Sequence, residues 1–157
     1  RWLRGALAPG VEMRTPARSQ SLCTHDEASI FQLEPDIFIT QGAQRWVLDT
    51  KWKLLDEADR RGKYGLSQSD FYQLYAYGKK YLGGAGHMAL IYPRTERFTH
   101  PLKPFHFDER LSLWVLPFDL DTQALHGGEC LGMPYANRHT LVHGTSTNKR
   151  ITEGIAQ

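Results

Sequence analysis

Five residues of this 157-residue chain fall in an order that suits chemistry on a phosphate ester: Asp36, Asp49, Lys51, Gln73 and Tyr77. Asp49 and Lys51 stand two apart in the run QRWVLDTKWK, which reads as a strand. Side chains alternate across a strand, so the carboxylate and the ammonium share one face, while Trp46, Leu48 and Trp52 take the other. Asp36 lies in the preceding apolar run, IFQLEPDIFIT, and reaches the same end of a sheet if the two runs pair. Two converging carboxylates suit a hard divalent cation such as Mg²⁺, with Mn²⁺ as a substitute, and the Thr50 carbonyl offers a further oxygen ligand. A cation held there polarises a phosphodiester and lowers the pKa of a bound water. Lys51 then orients that water or neutralises charge developing on the phosphate. Asp70, Gln73 and Tyr77 follow at helical spacings of three and four and share a face. Gln73 is placed to hydrogen-bond a phosphate or a metal-bound water. Tyr77 can do the same through its hydroxyl, or stack on a base. Each piece alone has a plainer reading, as an exposed ion pair or a half-buried helix face. Their joint order is what points to a site.

The elements that must position these residues are legible in outline. Residues 30–40 read as a strand bent at Pro35, and residues 44–53 as its antiparallel hairpin partner across a turn at Gln41-Gly42-Ala43. Residues 54–66 are charged and glycine-punctuated, a surface loop. Residues 67–82 show helical periodicity, with Ser67 and Asp70 as a capping-box variant, Lys79 and Lys80 in the last turn, and Gly83-Gly84 as the stop. Residues 87–92 and 111–120 read as further strands, with another broken by prolines between 95 and 107. Residues 11–15 suggest a short strand, residues 19–28 a polar turn, and residues 121–125 a short helix. The order strand, strand, helix, strand, strand predicts an α/β domain with a mixed central sheet and a helix packed on it after the DxK strand.

These motifs resemble a known family. Asp36, Asp49-x-Lys51 and Gln73-x-x-x-Tyr77 look like the PD-(D/E)xK nuclease superfamily in its RecB-like branch, which implies a restriction-endonuclease-like fold. The longer text, PDIFI, VLDTKWK, SQSDFYQLYAYGKKYL and ALIYP, resembles the McrC subunits of McrBC 5-methylcytosine-specific restriction systems. The resemblance implies Asp36 and Asp49 as metal ligands, Lys51 as the catalytic lysine, and Gln73 and Tyr77 as an accessory motif. It further implies a Mg²⁺-dependent DNA endonuclease acting on methylated double-stranded DNA. Its partner would be a McrB-like AAA+ GTPase ring that supplies recognition, translocation and all handling of GTP. On this reading residues 11–120 are the nuclease domain, 1–10 a remnant of an upstream region that contacts the GTPase, and 121–157 a partly disordered tail. The alternatives are another RecB-like repair nuclease and a truncated, non-catalytic assembly module.

Composition bounds these readings. The formal net charge is +2, too small for a strong stand-alone nucleic-acid binder but compatible with a nuclease that borrows its grip from a partner. Cys23 and Cys130 form no CxxC pair, which disfavours a cysteine zinc site and points to a reducing cytoplasm. No apolar run reaches the roughly 20 residues of a membrane span. His139 and His143 are four apart in HTLVH but lack the glutamate of a zinc hydrolase. Gly83, Gly84 and Gly86 lack the lysine and serine of a phosphate loop. The bases Arg60, Arg61 and Lys63 are offset in number by Asp56, Glu57 and Asp59, and read as a solvated loop that can brush a DNA backbone.

Overall fold

The structure, a computed structural model, describes residues 2–135. Its elements are α1 (Trp2–Ala6), β1 (Glu12–Arg14), β2 (Gln20–His25), β3 (Ala28–Leu33), β4 (Ile37–Gln41), β5 (Gln44–Thr50), α2 (Gln68–Tyr81), β6 (Gly86–Pro93), β7 (Phe105–His106), β8 (Leu111–Asp119) and β9 (Ala124–Leu125). Seven strands form one mixed sheet in the order β1-β4-β5-β6-β8-β7, with β9 also paired to β8. The β4–β5 pair is antiparallel and closes with Gln41 opposite Gln44, so Gly42 and Ala43 make the tight turn. The β5–β6 and β6–β8 pairs are parallel. Parallel neighbours need a crossover connection, and α2 lies in the one between β5 and β6. The α/β expectation, a mixed sheet with a helix packed after the DxK strand, therefore holds, in a restriction-endonuclease-like arrangement.

Strand alternation sorts the core into two layers. Val47, Met88, Leu90, Tyr92, Leu113 and Val115 pack with Leu74, Tyr77 and Tyr81 of α2 on one face. Trp46, Leu48, Ala89, Ile91 and Leu116 pack on the other face with Leu3, Leu125, Leu131 and Met133. The helix approaches the sheet most closely at Gly78, where a Cβ would lie 2.7 Å from Leu111 Cδ2 and 2.9 Å from its Cδ1.

Several expectations need correction. The run 30–40 is not one bent strand. It is the end of β3 and most of β4, which belong to different sheets. Pro35 has no N–H to extend a ladder and disfavours helix for its predecessor, so the chain breaks there. The polar stretch 19–28 is not merely a turn, because β2 and β3 form a two-stranded hairpin around Asp26 and Glu27. Both turn residues have positive φ, 45° and 63°, as a primed hairpin turn requires. Its residues are mostly exposed, Leu22 and Phe31 included, so no alternation of buried and exposed positions marked it. The segment 95–107 yields only the two-residue β7. The helix expected at 121–125 is absent. Asp119 Oδ1 instead accepts the N–H groups of Asp121 and Thr122 at 3.0 Å each, bending the chain into β9.

The described parts of both flanks pack on the second sheet face. Trp46 Nε1 donates to the Leu131 carbonyl at 2.8 Å, and Ala8 N–H donates to that of Pro134 at 2.8 Å. The pair His139 and His143 lies outside the described residues. Among the described residues no helix is long and apolar enough to cross a membrane, and both cysteines are free.

Candidate active site

The site forms where β4, β5, β6 and α2 meet. Asp49, on β5, is only 3 % exposed, a rare setting for a carboxylate. Lys51 follows the last strand residue, yet its N–H still donates to the Ile91 carbonyl of β6 at 2.9 Å, so its backbone is fixed. The alternation that puts Val47 on the α2 face puts Asp49 and Lys51 there too. Lys51 Nζ lies 2.7 Å from Asp49 Oδ2 and 3.5 Å from Asp70 Oδ1, and donates to Gln73 Oε1 at 2.9 Å. An ammonium has three protons, and these three acceptors match that number.

Asp36 sits in the bend before β4. Its Oδ2 accepts the Thr50 N–H at 2.8 Å and the Thr50 hydroxyl at 2.5 Å. Its own N–H lies 3.4 Å from Asp49 Oδ1. The two carboxylates are thus neighbours across the β4–β5 pair, as the antiparallel reading required. Thr50 clamps Asp36 through its N–H and hydroxyl, whereas the sequence pointed only to its backbone carbonyl, as a metal ligand. Asp36, Asp49, Lys51 and Gln73 are all brought together.

Tyr77 is also drawn to this place, but as a buried group. It is 2 % exposed, and its ring meets Tyr81 edge-on at 6.2 Å. A ring so enclosed has no face free to stack on a base, so that option falls. Asp70 does not cap α2. Ser67 at the N-cap makes no side-chain cap bond, and its hydroxyl pairs with that of Ser69 at 2.6 Å. Asp70 turns instead to Lys51, and its Oδ2 accepts the Tyr92 hydroxyl at 3.4 Å. Tyr92, 1 % exposed on β6, was not anticipated from the sequence. The available signal was its place at the C-terminal end of a buried parallel strand, one residue beyond Ile91, the partner of Thr50.

The electrostatics follow from this crowding. Burial pushes the Asp49 carboxyl up, opposed by the Lys51 hydrogen bond and reinforced by the charge of Asp36. Burial works against the Lys51 ammonium, but the Asp49 hydrogen bond and charge, with Asp70, outweigh it and hold the amine protonated. Burial and the charges of Asp49 and Asp36 push the Tyr77 hydroxyl far above its usual value. Burial and Asp70 do the same to Tyr92. Both phenols stay neutral.

The donor set fits a hard cation. The two carboxylates offer oxygen ligands, beside the Lys51 ammonium and the Thr50 N–H, and the charge of Asp36 raises the cost of ionising Asp49. Among the described residues no cluster of three His, Cys, Asp or Glu side chains makes a ready cage. A cation here would have two carboxylates to hold it and would need water or phosphate oxygens for the rest of its shell, as Mg²⁺ tolerates. A cleft of about 770 Å³, lined by Ile37, Thr50, Lys51, Trp52, Ile91 and Tyr92 among others, opens beside this group. It lies at the carboxyl ends of the parallel strands, where open α/β sheets commonly bind ligands.

A model of the family described as McrBC 5-methylcytosine restriction system component matches residues 1–93. That stretch is more than half of the chain and includes every residue of the site. The chain belongs to this McrBC family. It is also similar to a chain in the refined half-complex from a tetradecameric assembly of Thermococcus gammatolerans McrB AAA+ hexamers with bound McrC. The match has a TM-score of 0.50 and 17 % identity, and covers 71 % of this chain. At that identity the likeness concerns the fold. The present chain spans about a quarter, 24 %, of that longer McrBC-assembly chain. No curated protein matches.

Proposed function

We propose that this chain is the nuclease portion of a McrC-type subunit, a metal-dependent DNA endonuclease that works with a McrB-like AAA+ GTPase ring on 5-methylcytosine DNA. The observation that supports it best is the Lys51 ammonium held by Asp49, Asp70 and Gln73 beside a third carboxylate, Asp36. Membership of a restriction-system family supplies the substrate class, and the McrB–McrC neighbour the partner. GTP binding and hydrolysis are assigned to that partner.

Asp36 and Asp49 are the residues that would hold Mg²⁺ or Mn²⁺, with the Thr50 carbonyl as a third oxygen. Bound there, the ion supplies Lewis-acid polarisation of the phosphodiester and a more acidic water. Thr50 fixes the Asp36 rotamer through two hydrogen bonds. Lys51 is held protonated, so it acts as a charge donor to the phosphate and not as a base. Gln73 aims that ammonium from the helix. Tyr77 fills the space beneath the carboxylates and keeps water from that side. In a partly buried site each such interaction counts for more than it does in water.

A calorimetric titration of the full-length protein with Mn²⁺ and then Mg²⁺ tests this reading. Binding that disappears in Asp36→Asn supports it. The non-catalytic assembly module instead predicts no heat that depends on Asp36, and that result would replace the nuclease reading.

A further inference from the structure

The structure points to a second contact with the nucleic acid, in the loop that links β5 to α2. Within residues 54–66 its charges cancel by number, three acids against three bases, and Lys53 just before them adds a further positive charge. Their surroundings are not equivalent. Asp59 Oδ1 accepts the Gly62 N–H at 2.9 Å. Asp56 accepts the Ala58 N–H at 3.0 Å and pairs with Arg97. Glu57 accepts the N–H groups of Thr99 and His100, both at 2.9 Å. All three acids thus serve the loop's own architecture, and Asp56 and Glu57 are half-buried. Arg60, Arg61 and Lys63 are exposed and have no side-chain partner among the described residues.

The loop holds these bases on a stiff frame. Tyr64 N–H donates to the Asp59 carbonyl at 2.7 Å, and Asp56 N–H to the Tyr64 carbonyl at 3.1 Å. At Gly62 a Cβ would stand 2.1 Å from Asp59 Oδ2, so a side chain there would displace the carboxylate that accepts the Gly62 N–H. Lys63 and Tyr64 are kept at φ of 54° and 60°, a conformation non-glycine residues seldom adopt. The base of the loop is anchored by Leu55, 3 % exposed, and by Tyr64 against Phe105. A fixed tip loses less entropy on binding than a flexible one.

The tip can reach the same duplex as the site. Arg60 is nine residues beyond Lys51, within about 32 Å at full extension. That is roughly nine base pairs of duplex, at about 3.4 Å per phosphate along one strand.

We propose that Arg60, Arg61 and Lys63 form a preset clamp for the phosphate backbone of DNA, flanking the phosphate that Lys51 meets. This deepens the nuclease reading and rests on it for the choice of DNA as ligand. The small net charge of the chain does not argue against it, since the local acids are engaged in hydrogen bonds and an ion pair of their own.

The test is equilibrium binding of an unmethylated duplex to the full-length protein across a salt series, with the R60A/R61A/K63A variant beside it. Each lost phosphate contact removes about 0.9 from the slope of log K against log salt, so the variant's slope should fall by roughly 2 to 3. Three contacts account for about a 40-fold part of the affinity loss between 50 and 200 mM salt. Thermal unfolding of the variant should match the wild type, because the three exposed side chains make no hydrogen bond or ion pair among the described residues. An unchanged slope, or no duplex binding by the wild type, overturns the clamp. If the slope is unchanged while Asp49→Asn still abolishes cleavage, the clamp fails and the nuclease reading stands. If the slope falls but no form of the protein cleaves, the clamp stands and the nuclease reading fails.

Discussion

Replacing Gly78 by alanine tests how α2 is set on the sheet. At an open helix position this change stabilises a protein by up to about 1 kcal/mol, because glycine loses more backbone entropy on folding. Gly78 is not open. The new Cβ would meet Leu111 Cδ2 at 2.7 Å, Leu111 Cδ1 at 2.9 Å and Met88 Cε at 3.1 Å. Both neighbours are 0 % exposed. The unbranched Met88 can yield, but Leu111 cannot swing both methyls away inside a filled core. Overpacking of this kind costs about 1–3 kcal/mol. It outweighs the helix gain, leaving a net loss of about 1–2 kcal/mol. At this chain length that lowers Tm by roughly 2–8 °C. The helix should also lift from the sheet, carrying Gln73 away from Lys51, so cleavage should fall further than stability alone explains. Urea unfolding and thermal melts of the full-length protein read the first effect, and cleavage at a temperature well below Tm reads the second. A Gly78→Ala variant as stable as the wild type, or more so, would refute the close approach of α2 and with it the placement of Gln73.

Other perturbations probe single links. Asp70→Asn weakens one of the three contacts to Lys51 and should lower kcat about three- to tenfold with KM for DNA little changed, while Tyr92→Phe lowers it less. Because Tyr92 acts through Asp70, the double variant should match Asp70→Asn alone, and additive losses would contradict that chain of contacts. Tyr81→Phe removes the hydroxyl that lies 2.8 Å from the carbonyls of both Ala17 and Leu33, and should cost about 1–3 kcal/mol in urea unfolding. At Glu57, burial is outweighed by the N–H groups of His100 and Thr99, which hold the carboxyl below its usual range. A depressed folded-state pKa gives stabilisation that is complete above the unfolded value of about 4.3 and is lost as pH falls through the folded value. Glu57→Gln should therefore be less stable by about 1 kcal/mol at pH 7, with the difference shrinking in melts below pH 4.

The site was more legible than the fold around it. Asp49 and Lys51 could be placed on one face because strand alternation is a strict period, and Asp36 followed from one antiparallel pairing. The helix carrying Gln73 announced itself by its spacing and its glycine stop. What stayed hidden depended on tertiary contact. Asp70 reads as a helix cap because acidic residues suit a first turn, yet a neighbouring ammonium is the stronger attraction. Tyr92 sits in a plain apolar run and gains its meaning only from the β5–β6 register. Tyr77 reads as an accessible phenol until the sheet covers it. The β2–β3 hairpin is exposed along most of its length, so no pattern of burial marks it. Residues 124–133 look too sparse to form a core, yet four of them, Ala124, Leu125, Leu131 and Met133, are buried against the sheet.

The central claim is that Asp36, Asp49 and Lys51 form a metal-dependent phosphodiesterase site. Cleavage of a 5-methylcytosine plasmid by the full-length protein, reconstituted with its GTPase partner and GTP, tests it most directly. The account predicts cutting in Mg²⁺ that stops with chelator and is abolished in Asp49→Ala and in Lys51→Ala, while both variants still bind the partner. Cutting that persists in both variants, with the partner bound, would contradict it.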